Sequence, residues 1–182
     1  LPSSLSLNPA AADPAARTRE QRRRLTQIVK QYWDFTSRLL RHLGVSEADV
    51  EDGAQQVFLT LDQKLGDVLP GRERAFLAAC AVHIAARVRR ARARKREVGE
   101  ESMLELVEIG ADPERALEQQ RRLERLERIL GSMGEEHRAV FVLYEIEELT
   151  MAEVAEVLGI PPGTVASRLR RARELFREGL SS

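Results

Sequence analysis

Arginine is the side chain in this sequence best equipped for chemistry. Between Thr164 and Arg177 stand Arg168, Arg170, Arg171, Arg173 and Arg177, opposed only by Glu174. A second run, from Arg87 to Arg96, holds seven bases and no acid. A guanidinium group is a planar fork of donors that stays charged, and it grips phosphates and guanine edges in bidentate fashion. Two such runs make two candidate anion-binding faces. Other chemistries have less to work with. Cys80 and His83 lie three apart on one helix, but zinc needs further ligands, and His42 and His137 have no ligand partners at suitable spacing. No phosphate-binding loop, dinucleotide glycine motif or nucleophile elbow occurs. The expectation is a protein with no metal, no cofactor and no enzymatic centre.

The C-terminal arginines need an element to aim them, and the stretch around 150–178 supplies one. Thr150 is placed to cap a short helix from Met151 to Leu158, Gly159 to break it, and Pro161-Pro162 to set the entry of a second helix near Gly163 or Thr164. Ala155, Gly159 and Val165 provide a small residue where two helices cross, a glycine free to take positive φ, and an apolar anchor. That spacing predicts a helix-turn-helix. Burying Leu158, Val165 and Leu169 leaves Thr164, Ser167, Arg168 and Arg171 outward on the N-terminal half of the second helix, the part that enters a major groove.

The remaining elements follow from periodicity. The chain has 182 residues, 43% of them hydrophobic, with 29 basic against 29 acidic side chains. That suits one domain or two small ones with packed cores. One cysteine permits no internal disulfide, and no apolar run approaches membrane-span length. Residues 1–16 lack both a basic start and an apolar stretch, and read as a flexible tail rather than a signal peptide. Apolar positions recur at helical spacing over Arg17–Leu43, with a stop at Gly44. They recur again over a helix capped by Ser46 with Asp49 in a near capping box, and over Arg72–Arg96. Glu97–Ala111, part of a stretch with a balance of −7, is the predicted acidic linker. Asp112-Pro113 opens the next helix, and Glu135–Glu148 forms another. No stretch alternates as a strand does. The predicted fold is all-α, with two small helical domains, 17–96 and 112–182, joined by the flexible linker 97–111. A linker of that length spans at most roughly 50 Å, so both domains can reach separate sites on one duplex.

From Leu126 to Arg173 the sequence resembles region 4 of extracytoplasmic-function (ECF) sigma factors, the promoter-specificity subunits of bacterial RNA polymerase in the sigma-70 family. Gly163, Thr164, Val165, Ser167, Arg168, Leu169, Arg171, Ala172 and Arg173 stand where that family has G-T-V-x-S-R-L-x-R-A-R. Ala166 departs from it, where a Lys or Arg is common. Val50–Leu61 resembles the region 2 helix that docks on the polymerase clamp, with Glu51, Asp52, Gln55, Phe58 and Leu59 in matching places. Glu73–Arg96 resembles the helix that captures the melted downstream promoter element. Phe76 stands there in place of a frequent Trp, and His83 and Arg87 in place of a frequent Asn and Asp.

The resemblance implies that Thr164, Ser167, Arg168 and Arg171 read the upstream element as duplex. Phe76, His83, Arg87, Arg90 and Arg94 would engage the downstream element, and Asp52, Gln55 and Gln56 the polymerase. It further implies core RNA polymerase, promoter DNA and an anti-sigma factor as partners, in a cytoplasmic protein with no membrane segment of its own. The alternatives are a polymerase-independent helix-turn-helix regulator, which binds duplex tightly by itself, and a helical adaptor for acidic proteins, which has no salt-dependent DNA affinity.

Overall fold

The computed structural model describes residues 14–97 and 113–181. The expected tail as far as Asp13, the segment Val98–Asp112 that holds nearly all of the expected linker, and the expected Asp112 cap lie outside them. Among the described residues there is no strand, and no helix long and apolar enough to cross a membrane. The elements are α1 (Pro14–His42), α2 (Glu47–Lys64), α3 (Glu73–Glu97), α4 (Pro113–Ser132), α5 (Glu135–Phe141), a π-helical turn (Val142–Ile146), α6 (Met151–Leu158) and α7 (Pro162–Ser181).

The N-terminal bundle packs α1, α2 and α3 against one another. Buried Ile28, Phe35 and Leu39 form a stripe on α1, continued by Leu43 just past its end, and Val50, Ala54, Val57, Phe58 and Leu61 form one on α2. On α3 the buried face is small, with Ala78, Ala81 and Ala85 beside Leu77 and Ile84, so the third helix can approach closely. Trp33 stacks on Phe58 at 5.7 Å between ring centroids. Gly44 ends the α1 turn at φ +88°, a left-handed conformation that costs glycine nothing. Ser46 precedes α2 in an extended conformation, but its hydroxyl donates to the Asp49 carboxylate at 2.5 Å instead of accepting a backbone N–H. A short carboxylate at that position captures the hydroxyl before the backbone can.

The C-terminal bundle packs α4, α5 and α6 around α7. Its core includes Ile129, Leu130, Val140, Leu143, Val154, Val165, Leu169 and Ala172, with Phe141 stacked on Phe176 at 4.7 Å. Burying a Val or Leu contributes about 1.5–3 kcal/mol, so a cluster this size sustains a small bundle. Leu123 lies on the periodic apolar pattern of α4 yet is exposed.

The helix expected over Glu135–Glu148 departs from α-geometry after Phe141. The Glu147 N–H donates five residues back to the Val142 carbonyl at 2.9 Å, and Glu148 takes φ +54°. A left-handed non-glycine residue costs of order 1–3 kcal/mol and persists only where its surroundings hold it. The extra residue in the turn swings Glu147 out of its own bundle and into the other.

The two bundles are in contact through α3 and α6. The Glu147 carboxylate, 1% exposed, accepts from Arg38 at 3.0 Å and lies 3.7 Å from His42 Nδ1 and 3.9 Å from Arg74. Arg74 also donates to the Glu147 backbone carbonyl. Beside it, the buried Arg138 donates to the Leu43 carbonyl at the C-terminus of α1 at 3.5 Å. Arg72 pairs with Glu156, and Arg89 with Glu135 at 3.7 Å.

Candidate nucleic-acid interface

The helix-turn-helix is built from local chemistry. Thr150 Oγ1 accepts from the Glu153 N–H at 3.3 Å, and the Glu153 carboxylate accepts from the Thr150 N–H at 2.8 Å, a reciprocal capping box. The Thr150 hydroxyl, which donates to the Glu153 carboxylate at 2.7 Å, and then the Thr150 N–H hold that carboxyl below its ordinary range. Gly159 takes φ +63°, and the Ile160 N–H closes the turn on the Ala155 carbonyl at 3.1 Å. Pro162 opens α7 one to two residues ahead of the expected start. Val165 and Leu169 are buried, which fixes the rotation of α7 and with it the outward face.

On that face Ser167 and Arg171 are exposed, and Thr164 and Arg168 are partly covered. The Ser167 hydroxyl donates to the Thr164 carbonyl at 3.0 Å. Arg168, with 25% of its side chain exposed, pairs with Glu136 on α5 at 2.7 Å. Arg171 pairs with Glu174 at 3.0 Å and Glu178 at 3.3 Å, and the Glu174 bond raises its pKa further above the ordinary arginine value. Arg173 bonds Glu145 at 2.6 Å and lies 5.7 Å over the Tyr144 ring. Arg170 and Arg177 are exposed. The acids of the same bundle therefore hold several of the expected DNA-contacting arginines in place.

The second group lies on α3. Phe76, His83, Arg87, Arg90 and Arg94 are spaced 7, 4, 3 and 4 residues apart, a single stripe along the helix about 27 Å long. His83, Arg87, Arg90 and Arg94 are exposed. Phe76 is half-buried in a groove shared with Ala75, Ala79, Arg72, Glu156 and Val157, where α3 meets α6. Arg87 donates to the Gln56 side-chain oxygen, tying the stripe to α2. Asp52 and Gln55 are exposed on α2 with Leu59, one turn beyond, also exposed; Gln56 is half-buried. The arrangement offers an open polar patch on α2, a cationic stripe on α3 and an arginine-bearing second helix of the helix-turn-helix at α7.

Burial pushes the Cys80 thiol up and leaves it a protonated, half-buried group. Among the described residues no three or more metal-ligating side chains are gathered. Three features escape sequence reasoning: the buried Glu147, the buried Arg138 and the Glu136 partner of Arg168. The only signal for the first two is their position on a helix otherwise facing a core. For Glu147, burial pushes the carboxyl up, and pairing with His42 and Arg38 more than reverses this, leaving it below the ordinary carboxylate range. For Arg138, burial and the neighbouring Arg89 bring the pKa down to about 10.

Residues 123–176 match the family described as sigma-70, region 4. The chain is 32% identical over 178 residues to the RNA polymerase sigma factor CnrH of Cupriavidus metallidurans, an alignment that covers 92% of this chain and 93% of the relative. It is 30% identical over 156 residues to the ECF RNA polymerase sigma factor SigE of Mycolicibacterium smegmatis, covering 85% of this chain but only 61% of SigE. It is 34% identical over 76 residues to SigW of Bacillus subtilis, covering 42% of this chain and 41% of SigW. Among solved structures, CnrH in complex with the cytosolic domain of CnrY superposes with a TM-score of 0.67 at 24% identity, over 88% of this chain and 89% of that one. The sigma factor RpoE of Bartonella quintana in complex with the anti-sigma factor NepR gives 0.69 at 20% identity, over 86% and 96%. At these identities the structures establish a shared fold.

Proposed function

The chain belongs to the ECF sigma factors of the sigma-70 family, non-catalytic subunits of transcription initiation, and we propose that it binds core RNA polymerase and directs it to a promoter. The observation that carries this reading is the pairing of two DNA-suited surfaces on separate bundles. One is a capped helix-turn-helix whose recognition helix presents Thr164, Ser167, Arg168 and Arg171, and the other is the stripe on α3.

The division of labour follows from what each surface can do. A helix of this diameter fits a major groove, where Arg168 and Arg171 can each fork onto a guanine edge or a phosphate. The α3 stripe instead suits a melted strand. Arg87, Arg90 and Arg94 track phosphates, while Phe76 and His83 offer flat faces on which an unstacked base can rest. Asp52, Gln55 and Gln56 on α2 form the polymerase-docking patch. The expected tail 1–16 is shortened by α1, which already begins at Pro14; the residues before it serve as a tail, α1–α3 and 112–182 as the two functional domains, and 97–111 as the connector between them. The site of action is the cytoplasm, with the polymerase. CnrH and RpoE were each solved with a protein partner, CnrY and NepR, and an anti-sigma factor is the corresponding partner here.

Transcription in vitro with purified core polymerase and a library of promoter fragments tests the proposal. Specific initiation that requires this chain supports it. Failure to associate with core polymerase, together with tight duplex binding by the chain alone, overturns it in favour of an independent regulator.

A further inference from the structure

The first turns of α1 reach past the bundle that the rest of the helix belongs to. Arg24 anchors α1 to the start of α3: it donates to the Leu65 and Val68 carbonyls at 3.3 and 2.6 Å and to the Glu73 carboxylate at 2.8 Å. At the other end Arg89 of α3 donates to the Leu43 carbonyl at 3.4 Å, so the two helices run in the same direction. The residues of α1 before Arg24 therefore overhang Glu73, the first residue of α3. Arg19, Glu20, Gln21, Arg22 and Arg23 are all exposed, more than a full turn of helix with no packed side. The first buried apolar residue of α1 is Ile28.

The charge on this overhang has one sign. From Arg17 to Lys30 the sequence holds six bases against Glu20. At 100° per residue, Arg19, Arg22, Arg23 and Lys30 fall within about 60° of one line, on the side of α1 opposite Ile28. All four are exposed, and among the described residues none has an acid partner, unlike Arg168, Arg171 and Arg173 on α7. Thr26 lies between them with its hydroxyl turned back onto the Arg22 carbonyl at 2.9 Å. Like charges three and four residues apart repel, so Arg19 against Arg22 and Arg23 weakens a helix end that no packing holds. A bound polyanion turns that repulsion into attraction. The acidic segment after Glu97 leaves from the far end of α3, about 36 Å away. A membrane surface needs an apolar face beside the cations, and Arg19–Arg23 has none.

Nucleic acid fits both the charge and the place. The overhang begins beside the Phe76 end of the α3 stripe, so DNA lying along Arg94, Arg90, Arg87 and Phe76 passes α1 next. A turn exposed on every side is within reach of that strand. We propose that Arg19, Arg22, Arg23 and Lys30 form a phosphate-binding spur, which grips the DNA backbone where it continues beyond the Phe76 end of α3. The spur's place on the promoter rests on the reading of α3 given above; its attraction for phosphate rests only on exposed, unpaired charge. Four cations along about 17 Å of helix hold backbone and set the register of the strand on α3, whatever the bases are.

The test is a triple variant, Arg19→Gln with Arg22→Gln and Arg23→Gln, which removes three charges and keeps good helix formers in place. Binding of the holoenzyme, this chain with core polymerase, to a promoter duplex chosen by the transcription experiment is measured across salt concentrations. Each neutralised phosphate contributes about 0.9 to the slope of log affinity against log salt on duplex, and about 0.7 on a single strand. The triple variant should therefore lose about 2–3 from that slope, with thermal unfolding and comigration with core polymerase unchanged. Arg121→Gln with Arg128→Gln, which removes exposed charge from α4, should leave the slope as it is. An unchanged slope in the triple variant overturns the spur, and so does an equal loss per charge from α4, which would mean that net charge alone is being read. Lost comigration at an unchanged slope assigns these arginines to a protein partner and overturns the proposal as well. Should the chain form no holoenzyme, the free chain on a duplex of arbitrary sequence gives the same comparison. A slope lost there upholds the spur and removes the promoter reading; a slope retained there overturns both.

Discussion

Arg168 and Glu136 permit a prediction in which two substitutions of adjacent side chains have opposite signs. In the free protein the two form a pair at 2.7 Å, with Glu136 64% exposed. A pair of that exposure is worth about 0.2–1 kcal/mol, since water screens it and two long side chains must be held still. A bidentate contact from Arg168 to a guanine edge is worth about 1–3 kcal/mol. The base therefore wins, and DNA binding has to break the pair at the smaller cost. Arg168→Ala should weaken upstream-element binding by about 1–3 kcal/mol, roughly five- to 150-fold. Glu136→Gln should strengthen it by about 0.2–1 kcal/mol, or up to about fivefold. In the Arg168→Ala background the Glu136→Gln gain should vanish, because the competitor no longer has a target. Fluorescence anisotropy of the full chain or holoenzyme on a labelled upstream duplex, at several salt concentrations, measures all four corners of this cycle. Weaker binding by Glu136→Gln would refute the reasoning: Glu136 would then be aiming Arg168 at DNA and not competing for it.

Asp52→Ala combined with Gln55→Ala should reduce comigration with core polymerase and leave thermal unfolding unchanged, since both side chains are exposed on α2; a lowered melting temperature with normal comigration would assign them to the fold. Thr150→Ala should cost about 1 kcal/mol in chemical denaturation through loss of the capping box, and Thr150→Ser should restore most of it. Because the Glu147 carboxyl is held below its ordinary range by His42 and Arg38, against burial and with Arg74 and the Asp34–Arg38 interaction nearby, its contribution is complete above the unfolded carboxylate range and is lost as pH falls through the depressed native value. Glu147→Gln should therefore flatten the acid limb of stability below about pH 5 relative to wild type, as read by melting temperature against pH; identical limbs would remove Glu147 from that linkage.

How far the sequence foretells this fold depends on the distance over which each feature is determined. The helix-turn-helix is specified within a few residues: Thr150 and Glu153 cap each other, Gly159 supplies the left-handed turn, and Val165 sets the face. Those signals survive without any knowledge of the rest of the chain, and they fix where Arg168 and Arg171 point. The apolar stripes of α1 and α2 are equally local, with Val50, Ala54, Val57, Phe58 and Leu61 buried together. Ser46 is the counterexample at short range, because Asp49 completes the motif on paper and then takes the hydroxyl for itself. At long range the signal disappears. Arg138 contacts Leu43 across 95 residues and Arg38 reaches Glu147 across 109. In a linear reading such residues are charged positions on an amphipathic helix, and charged positions are assigned to solvent by default. The π-turn that redirects Glu147 has no compositional signature, since Val142–Ile146 has the mixed apolar and acidic pattern of an ordinary amphipathic helix.

The zero net charge acquires a physical meaning once the pairs are traced. Sequence blocks of one sign suggest faces that await phosphate, but many of those cations already hold a carboxylate. In the acidic stretch after Gly134, Glu135 faces Arg89, Glu136 faces Arg168, Glu145 faces Arg173, Glu147 faces Arg38 and Arg74, and Glu156 faces Arg72. Carboxylates thus occupy positions around guanidinium forks that DNA phosphates would otherwise take. On the proposed reading, binding DNA exchanges one anion for another, and each exposed pair that parts costs about 0.2–1 kcal/mol. On that reading the chain should bind non-specific DNA less tightly than its arginine count suggests, because a phosphate gains less where it must displace an internal acid. Base contacts and polymerase docking, which the acids cannot imitate, are left to tip the balance, and selectivity follows from the same neutrality that hides the basic surfaces in the composition.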